Sequence, residues 1–212
     1  MFEKDPTWSC ALINLILCSG KNIKMIKQTK FRTGVLILMI VLAALSRLIP
    51  HPANVTPVGA MALFGGAYFS RKYLTFLVPV LAMWFSDLVL NNTLYAQYYD
   101  GFVWAGDIWV YASLIFIGLI GITLLKKVSV KHVVLASLLG SVLFFLVTNF
   151  GVWAGPYSVF PKNFSGLLST YVAGLPFFRA SLLGDLFYCG VLFGTFEWAK
   201  SNWSMLRRPV QA

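Results

Sequence analysis

Charge is scarce in this chain. Only 11% of its 212 residues are Asp, Glu, Lys or Arg, against roughly 25% in ordinary soluble domains. Seven residues are acidic and two are histidine. So little charge could not cover a globule in water. This excludes a soluble enzyme, a disordered chain and a nucleic-acid-binding module. The three cysteines, Cys10, Cys18 and Cys189, follow no metal or redox spacing and read as reduced fillers. The sequence also lacks a Walker A motif, an HExxH motif and a phosphate-binding glycine-rich loop. An enzyme is therefore not expected, nor a catalytic residue, a metal site or a cofactor.

What is present is apolar. Hydrophobic residues make up 58% of the chain, and the mean hydropathy is +0.76. The net charge is +10. In a chain this apolar, the excess of basic residues points to the cytoplasmic side of a membrane. A bilayer core takes about 20 apolar residues as a helix. Five segments have that length: 34–50, 73–90, 108–125, 133–153 and 176–198. A sixth, 56–69, is short and rich in small residues, with Gly59, Gly65 and Gly66 permitting close packing inside a bundle.

The charge pattern requires that sixth crossing. Lys4, Lys21, Lys24, Lys27, Lys30 and Arg32 precede span one, and Arg71 and Lys72 separate spans two and three. Lys126, Lys127 and Lys131 separate spans four and five, and Lys200, Arg207 and Arg208 follow span six. These are 14 of the 17 basic residues, all on one side. The other side carries only Lys162 in its loops, with Asp100 and Asp107. The expectation is an all-α integral membrane protein. It has six transmembrane helices in one domain over 25–212 and both termini cytoplasmic. His51 and His132 then lie on opposite sides, which argues against a metalloprotease or a Ser–His intramembrane protease.

Residues 1–24 fit this scheme poorly. Residues 8–19 are apolar but too short to span, and the residues before them are mixed in sign rather than basic. Met25 opens the basic stretch before span one. The reading is that translation starts at Met25 and residues 1–24 are a spurious extension. The alternative is a short interfacial helix.

An ionisable group inside a span costs about 2.5–3.5 kcal/mol on insertion scales and marks a functional hypothesis. Arg47, Asp87, Arg179, Asp185 and Glu197 are such groups. The topology sets the first four in the outer half and Glu197 at the inner surface beside Lys200. Three readings stay open. Two buried ion pairs fix the packing of the helices, these groups line an outward-facing pocket for a polar or zwitterionic solute, or Asp87 and Asp185 form a proton relay.

The outer loops add candidates. Loop 50–57 offers His51, Asn54 and Thr56, stiffened by three prolines. Loop 91–107 carries Tyr95, Tyr98, Tyr99, Phe102 and Trp104, as an interfacial belt or an aromatic cage. Segment 155–174 is long for a connection and reads as a lid or binding loop. Asn149 and Trp153, four apart, share a face at the same outer depth. Small residues four apart recur at Ala62/Gly66, Ala136/Gly140, Ser137/Ser141 and Gly190/Gly194 and allow tight helix contact. A faint echo links NVTPVG to LVTNFG and FSDLVL to LGDLFY. With three spans in each half, such a duplication would be inverted and would put a site at the repeat interface.

The stretches RLIPHPANVTPVGAMALFGGAYF, FSDLVL, TNFGVWA and GLPFFRASLLGDLFYCGVLFG resemble a family of uncharacterised bacterial six-helix membrane proteins. The resemblance covers residues 32–198 and carries no established activity. More distantly, the layout is similar to the substrate-binding S components of energy-coupling-factor transporters. That similarity implies a pocket capped by the loop after helix one, with a separate transmembrane coupling protein and an ATPase module as partners. Span one here has Ala43, Ala44 and Ser46 but no small pair four apart for such a partner.

The leading expectation is a membrane-embedded binding protein for uptake of a small solute. Its candidate site is Arg47, Asn54, Thr56, Asp87, Asn149, Trp153, Arg179 and Asp185. The alternatives are a membrane scaffold or assembly protein without a small ligand, and a proton-coupled secondary transporter. The lipid bilayer is the expected partner in every case, and nucleic acid in none.

Overall fold

The computed structural model describes residues 6–50, 52, 54–156 and 158–207, with side chains from Ile23 onward. His51, Lys4 and Arg208 lie outside the described residues, as do the side chains of Cys10, Cys18 and Lys21. The described chain is all-helical, with six α-helices and no strand among the described residues. They are α1 (Pro6–Leu45), α2 (Val58–Tyr68), α3 (Tyr73–Asn92), α4 (Ile108–Leu124), α5 (Val130–Ala154) and α6 (Phe164–Asn202). Four stretches are long and apolar enough to cross a membrane: Ile23–Leu48, Tyr73–Asn92, Val130–Ala154 and Phe164–Asn202. Large apolar side chains such as Leu42, Leu81, Phe116, Leu139 and Leu183 remain exposed on the outside of the bundle. In water that surface would be costly; against lipid it is the expected solvent face.

The helix starts follow from local chemistry. Asp107, Ser129 and Asn163 have extended backbones, and their side chains accept from Trp109 N, His132 N and Gly166 N respectively. Each therefore satisfies one of the donors left open in a first turn. The Asn163 cap corrects the expectation of a long loop over 155–174. The connection ends at Asn163, and α6 runs 39 residues through Pro176. Gly166, Gly174 and Pro176 resemble loop punctuation, but Gly166 is buried under the Pro161 backbone and Gly174 under Asn149 and Phe145 of α5, while Pro176 is exposed within the helix. Residues 6–24 continue into α1 as one helix.

Helix α2 is the centre of the molecule. All eleven of its residues are buried, and it packs against each of the other five helices. A helix that is apolar on every side belongs inside. Its eleven residues rise about 16 Å, roughly half of a ~30 Å hydrocarbon core. Phe64 and Tyr68 pack on α6, with ring centroids 5.4 Å from Phe64 to Phe193 and 4.4 Å from Tyr68 to Phe196. On the opposite side Gly66 lies against the backbone of Gly118 and Gly121 of α4, with no room for a Cβ. The two helices therefore meet backbone to backbone.

The pairing of α2 with α6 fixes its depth. Val55 lies against Gly184, Gly59 against Asp185, and the Tyr68 hydroxyl donates to Glu197 at 2.5 Å. The described residues of this connection, 49, 50, 52 and 54–57, lie outside any α-helix and lead from the Arg47 end of the bundle to its middle, and α2 completes the other half. Irregular backbone at such depth occurs where it is buried in protein or lines a cavity.

Candidate functional site

Two polar centres occupy the bundle, on different sides of α2. The first joins Arg47, in a 3-10 turn after α1, to Asp87 of α3. Arg47 Nη1 lies 2.9 Å from Asp87 Oδ1, and the two side chains are 11% and 8% exposed. Nη1 also donates to Met83 Sδ at 2.9 Å and to Ser86 Oγ. Asp87 Oδ2 accepts from the Tyr111 hydroxyl of α4 at 2.7 Å. That hydroxyl in turn accepts from Gly106 N at 3.4 Å. Both carboxylate oxygens are thus engaged, and the pair ties α1, α3 and α4 together at one end. Buried Arg47 Nε has no acceptor among the described residues.

The second centre is Asp185 of α6, 6% exposed. It forms no ion pair among the described residues. It accepts from Ser141 Oγ of α5 at 2.7 Å and from the backbone N–H groups of Gly59 and Ala60. Those amides open α2, whose own N-cap position is Pro57 and supplies no side-chain acceptor. Asp185 therefore caps α2 from a neighbouring helix, where a carboxylate also meets the positive end of the helix dipole. The approach is close enough that a Cβ at residue 59 would strike the carboxylate. Asp185 stands eleven residues from Gly174 and twelve from Glu197 along α6, so it sits about midway down the bundle.

A cleft of about 190 Å³ opens above it between α5, α6 and the irregular stretch. Its polar lining is Asn54, Thr148, Asn149 and Ser181, and its walls include Phe144, Phe145, Phe177 and Phe178. Asn54 holds a positive φ of 64°, in the left-handed region that Asn tolerates better than most residues. A separate cavity of about 10 Å³, which shares Phe144 and Ser181 with the cleft, is lined also by Thr56, Gly59 and Asp185. That is room for about one water. Asn149 Nδ2 donates to Phe145 O at 2.8 Å, and its Oδ1 lies over Gly174.

The residues expected from sequence therefore separate. Asn54 and Asn149 line the cleft, and Thr56 and Asp185 line the small cavity next to it. Arg47 and Asp87 form the other centre. Trp153 braces the α5–α6 connection, its Nε1 donating to Pro161 O at 3.0 Å, with Lys162 donating to Trp153 O and, at 2.5 Å, to Gly155 O. Arg179 is exposed on α6 and joins neither centre. The aromatics of 91–107 remain largely exposed, from Tyr95 at 45% to Trp104 at 73%. Asn92 clasps that connection through Val103, donating to its O and accepting from its N, both at 2.8 Å.

Thr148, Ser181 and Tyr111 were not expected. Thr148 stands beside Asn149 in the quoted TNFGVWA stretch, and Ser181 lies one turn before Asp185, so helical spacing could have found both. Ser141 appeared only as one of a small-residue pair. Tyr111 had no signal beyond being a hydroxyl in an apolar helix. Among the described residues, no group of three metal-ligating side chains occurs.

No curated protein and no solved structure matches the chain. One family model does, described as a family of unknown function (DUF6580), and it covers residues 27–206, which include both polar centres and the cleft. The chain belongs to that family.

Proposed function

We propose that this protein is a multi-pass membrane protein of the bacterial inner membrane that binds a small polar solute for uptake, in the manner of a transporter's substrate-binding subunit. The observation that carries the reading is the cleft of about 190 Å³ where the chain is unwound. Broken helices bordering a cavity near the bilayer midplane are a recurring way to build a solute site. Asn54, Thr148, Asn149 and Ser181 offer neutral hydrogen-bond donors and acceptors, and phenylalanines shield them from lipid. This chemistry suits an uncharged or zwitterionic solute of about amino-acid size.

The topology we adopt has six crossings with both termini cytoplasmic. The stretch 49–57 and α2 together make the second crossing, which puts the basic clusters on one side. The cleft then opens outward. Because the sequence lacks a nucleotide-binding motif, energy would come from a partner, such as a coupling protein with an ATPase module. A proton relay is less favoured, since Ala60, Phe64, Phe193 and Phe196 pack as an apolar plug between Asp185 and the basic end.

A thermal-shift screen of small polar solutes against the purified chain tests the reading. A true ligand raises the melting temperature of wild type and not of Thr148→Val or Asn149→Leu. Asn54→Gly, which keeps the positive φ and removes the side chain, should fold and lose the shift. A shift that survives all three changes would put the solute elsewhere.

A second reading, a scaffold or assembly protein without a small ligand, is favoured by one observation. Gly190 and Gly194 of α6 have open space where a Cβ would stand, beside an apolar groove of about 390 Å³ against α5. Such a face suits a helix of another protein. It predicts a stable co-purifying partner that is lost on Gly190→Leu, with Asn149→Leu tolerated.

A further inference from the structure

The cleft is built twice from one pattern. On α5, Phe144 and Phe145 are followed four residues on by Thr148 and Asn149; on α6, Phe177 and Phe178 are followed by Ser181. The spacing stacks each polar side chain over the carbonyl one turn earlier. Thr148 Oγ1 donates to Phe144 O at 2.8 Å and Asn149 Nδ2 to Phe145 O at 2.8 Å. Ser181 Oγ donates to Phe177 O at 3.3 Å.

These bonds leave the donors and acceptors of the cleft unequal. Both hydroxyl protons are spent on helix carbonyls, and so is one amide hydrogen of Asn149. The oxygens are not spent. A hydroxyl or amide oxygen has two lone pairs, and Thr148 Oγ1, Asn149 Oδ1 and Ser181 Oγ accept no hydrogen bond among the described residues.

The surrounding charge has the same sense. No basic side chain lines the cleft or the small cavity beside it, and that cavity holds Asp185. Arg179 lies between Phe177 and Ser181 in sequence, but about 200° around the helix from each, and it is exposed. The rings of Phe145 and Phe178 stand 5.0 Å apart between centroids. Aromatic faces attract cations.

We infer that the cleft takes its solute by an ammonium group. This rests on the cleft being the solute site. An ammonium has three donors and no acceptor, so it bonds to these oxygens and leaves all three helix bonds intact. A carboxylate has only acceptors and would have to draw the protons away from their carbonyls. In a zwitterion the ammonium enters among the phenylalanines, and the exposed Asn54 amide meets the carboxylate from the water side.

The test compares two probes on one carbon skeleton, n-butylammonium and n-butyrate, titrated calorimetrically at neutral pH into the full chain in an uncharged detergent. Wild type should bind n-butylammonium and not n-butyrate. Ser181→Ala removes one acceptor and should weaken n-butylammonium about tenfold or more, the usual worth of a hydrogen bond to a charged group. Thr148→Ser keeps its acceptor and Arg179→Gln lies outside the cleft, so both should bind as wild type does. If n-butyrate binds as well as n-butylammonium and Asn149→Leu abolishes both, the cleft holds a solute but the ammonium inference is overturned. It is also overturned if n-butylammonium binds Ser181→Ala and Asn149→Leu as tightly as wild type. If neither probe binds while another solute of the screen is lost in the cleft variants, the inference alone falls. If no solute binds at all, the cleft reading falls with it.

Discussion

Asp87 and Asp185 are both buried carboxylates, yet they do different work. Asp87 has a cation on one oxygen and a tyrosine hydroxyl on the other. Removing one partner of a buried pair strands the other charge, at a cost of about 3–5 kcal/mol. Arg47→Ala and Asp87→Ala should each lower thermal stability in detergent by that order. Tyr111→Phe should cost less, about 1.5–3 kcal/mol, the loss of one hydrogen bond to a charged group. If both ion-pair variants melted as wild type does, the pair would not be holding the helices. Asp185→Asn should fold, because an amide oxygen can still accept from the amides that open α2. The scarcity of ionisable residues made these positions legible, since each intramembrane charge stands out in a sequence with 11% charge. Their partners were less legible. Arg179 and Asp185 are six residues apart, about 240° around a helix, so they face different ways. Tyr111 carried no periodic signal at all.

At the scale of the element, α2 decides the architecture. Gly66→Ala would drive a methyl into the backbone of Gly118 and Gly121. Overpacking of this kind costs about 1–3 kcal/mol. Gly34 of α1 has open space around it, so Gly34→Ala should be neutral or stabilising by up to about 1 kcal/mol through helix propensity. Melting curves of the two variants give a direct contrast, and equal melting temperatures would contradict the backbone-to-backbone contact. The short, small-residue character of α2 was legible from Gly59, Gly65, Gly66 and the Ala62/Gly66 spacing. Its exact role was not, because sequence shows that a helix is apolar all round but not which neighbour supplies its cap. The start of α6 was misjudged because Gly166, Gly174 and Pro176 carry loop signals, which the Asn163 cap and the packing of α5 on Gly174 override.

For the whole molecule, the arrangement has two chemically distinct ends: a neutral polar cleft at one and, at the other, a cavity lined by Arg32, Lys126, Lys200 and Arg207, separated by the aromatic packing of α2 on α6. The two ends should face opposite sides of the membrane. In a background where Cys10, Cys18 and Cys189 are replaced by serine, a cysteine introduced at Ser165 should react with an impermeant maleimide applied to intact cells stripped of their outer membrane. One at Lys131 should react only after permeabilisation. Labelling of both from outside would contradict the topology. The alternation of basic clusters along the sequence is what leads to this expectation. The cleft itself was half legible, because Asn54 and Asn149 come from separated stretches and only the fold brings them around one opening.

The most direct measurement is native mass spectrometry of the chain purified from its own membranes in mild detergent. The account predicts a bound polar molecule of small mass on wild type, absent from Asn149→Leu and from Thr148→Val, with Arg179→Gln still loaded. A protein that carries the same molecule after both cleft changes, or that stays empty and unshifted across the solute screen while a protein partner remains bound, would contradict it.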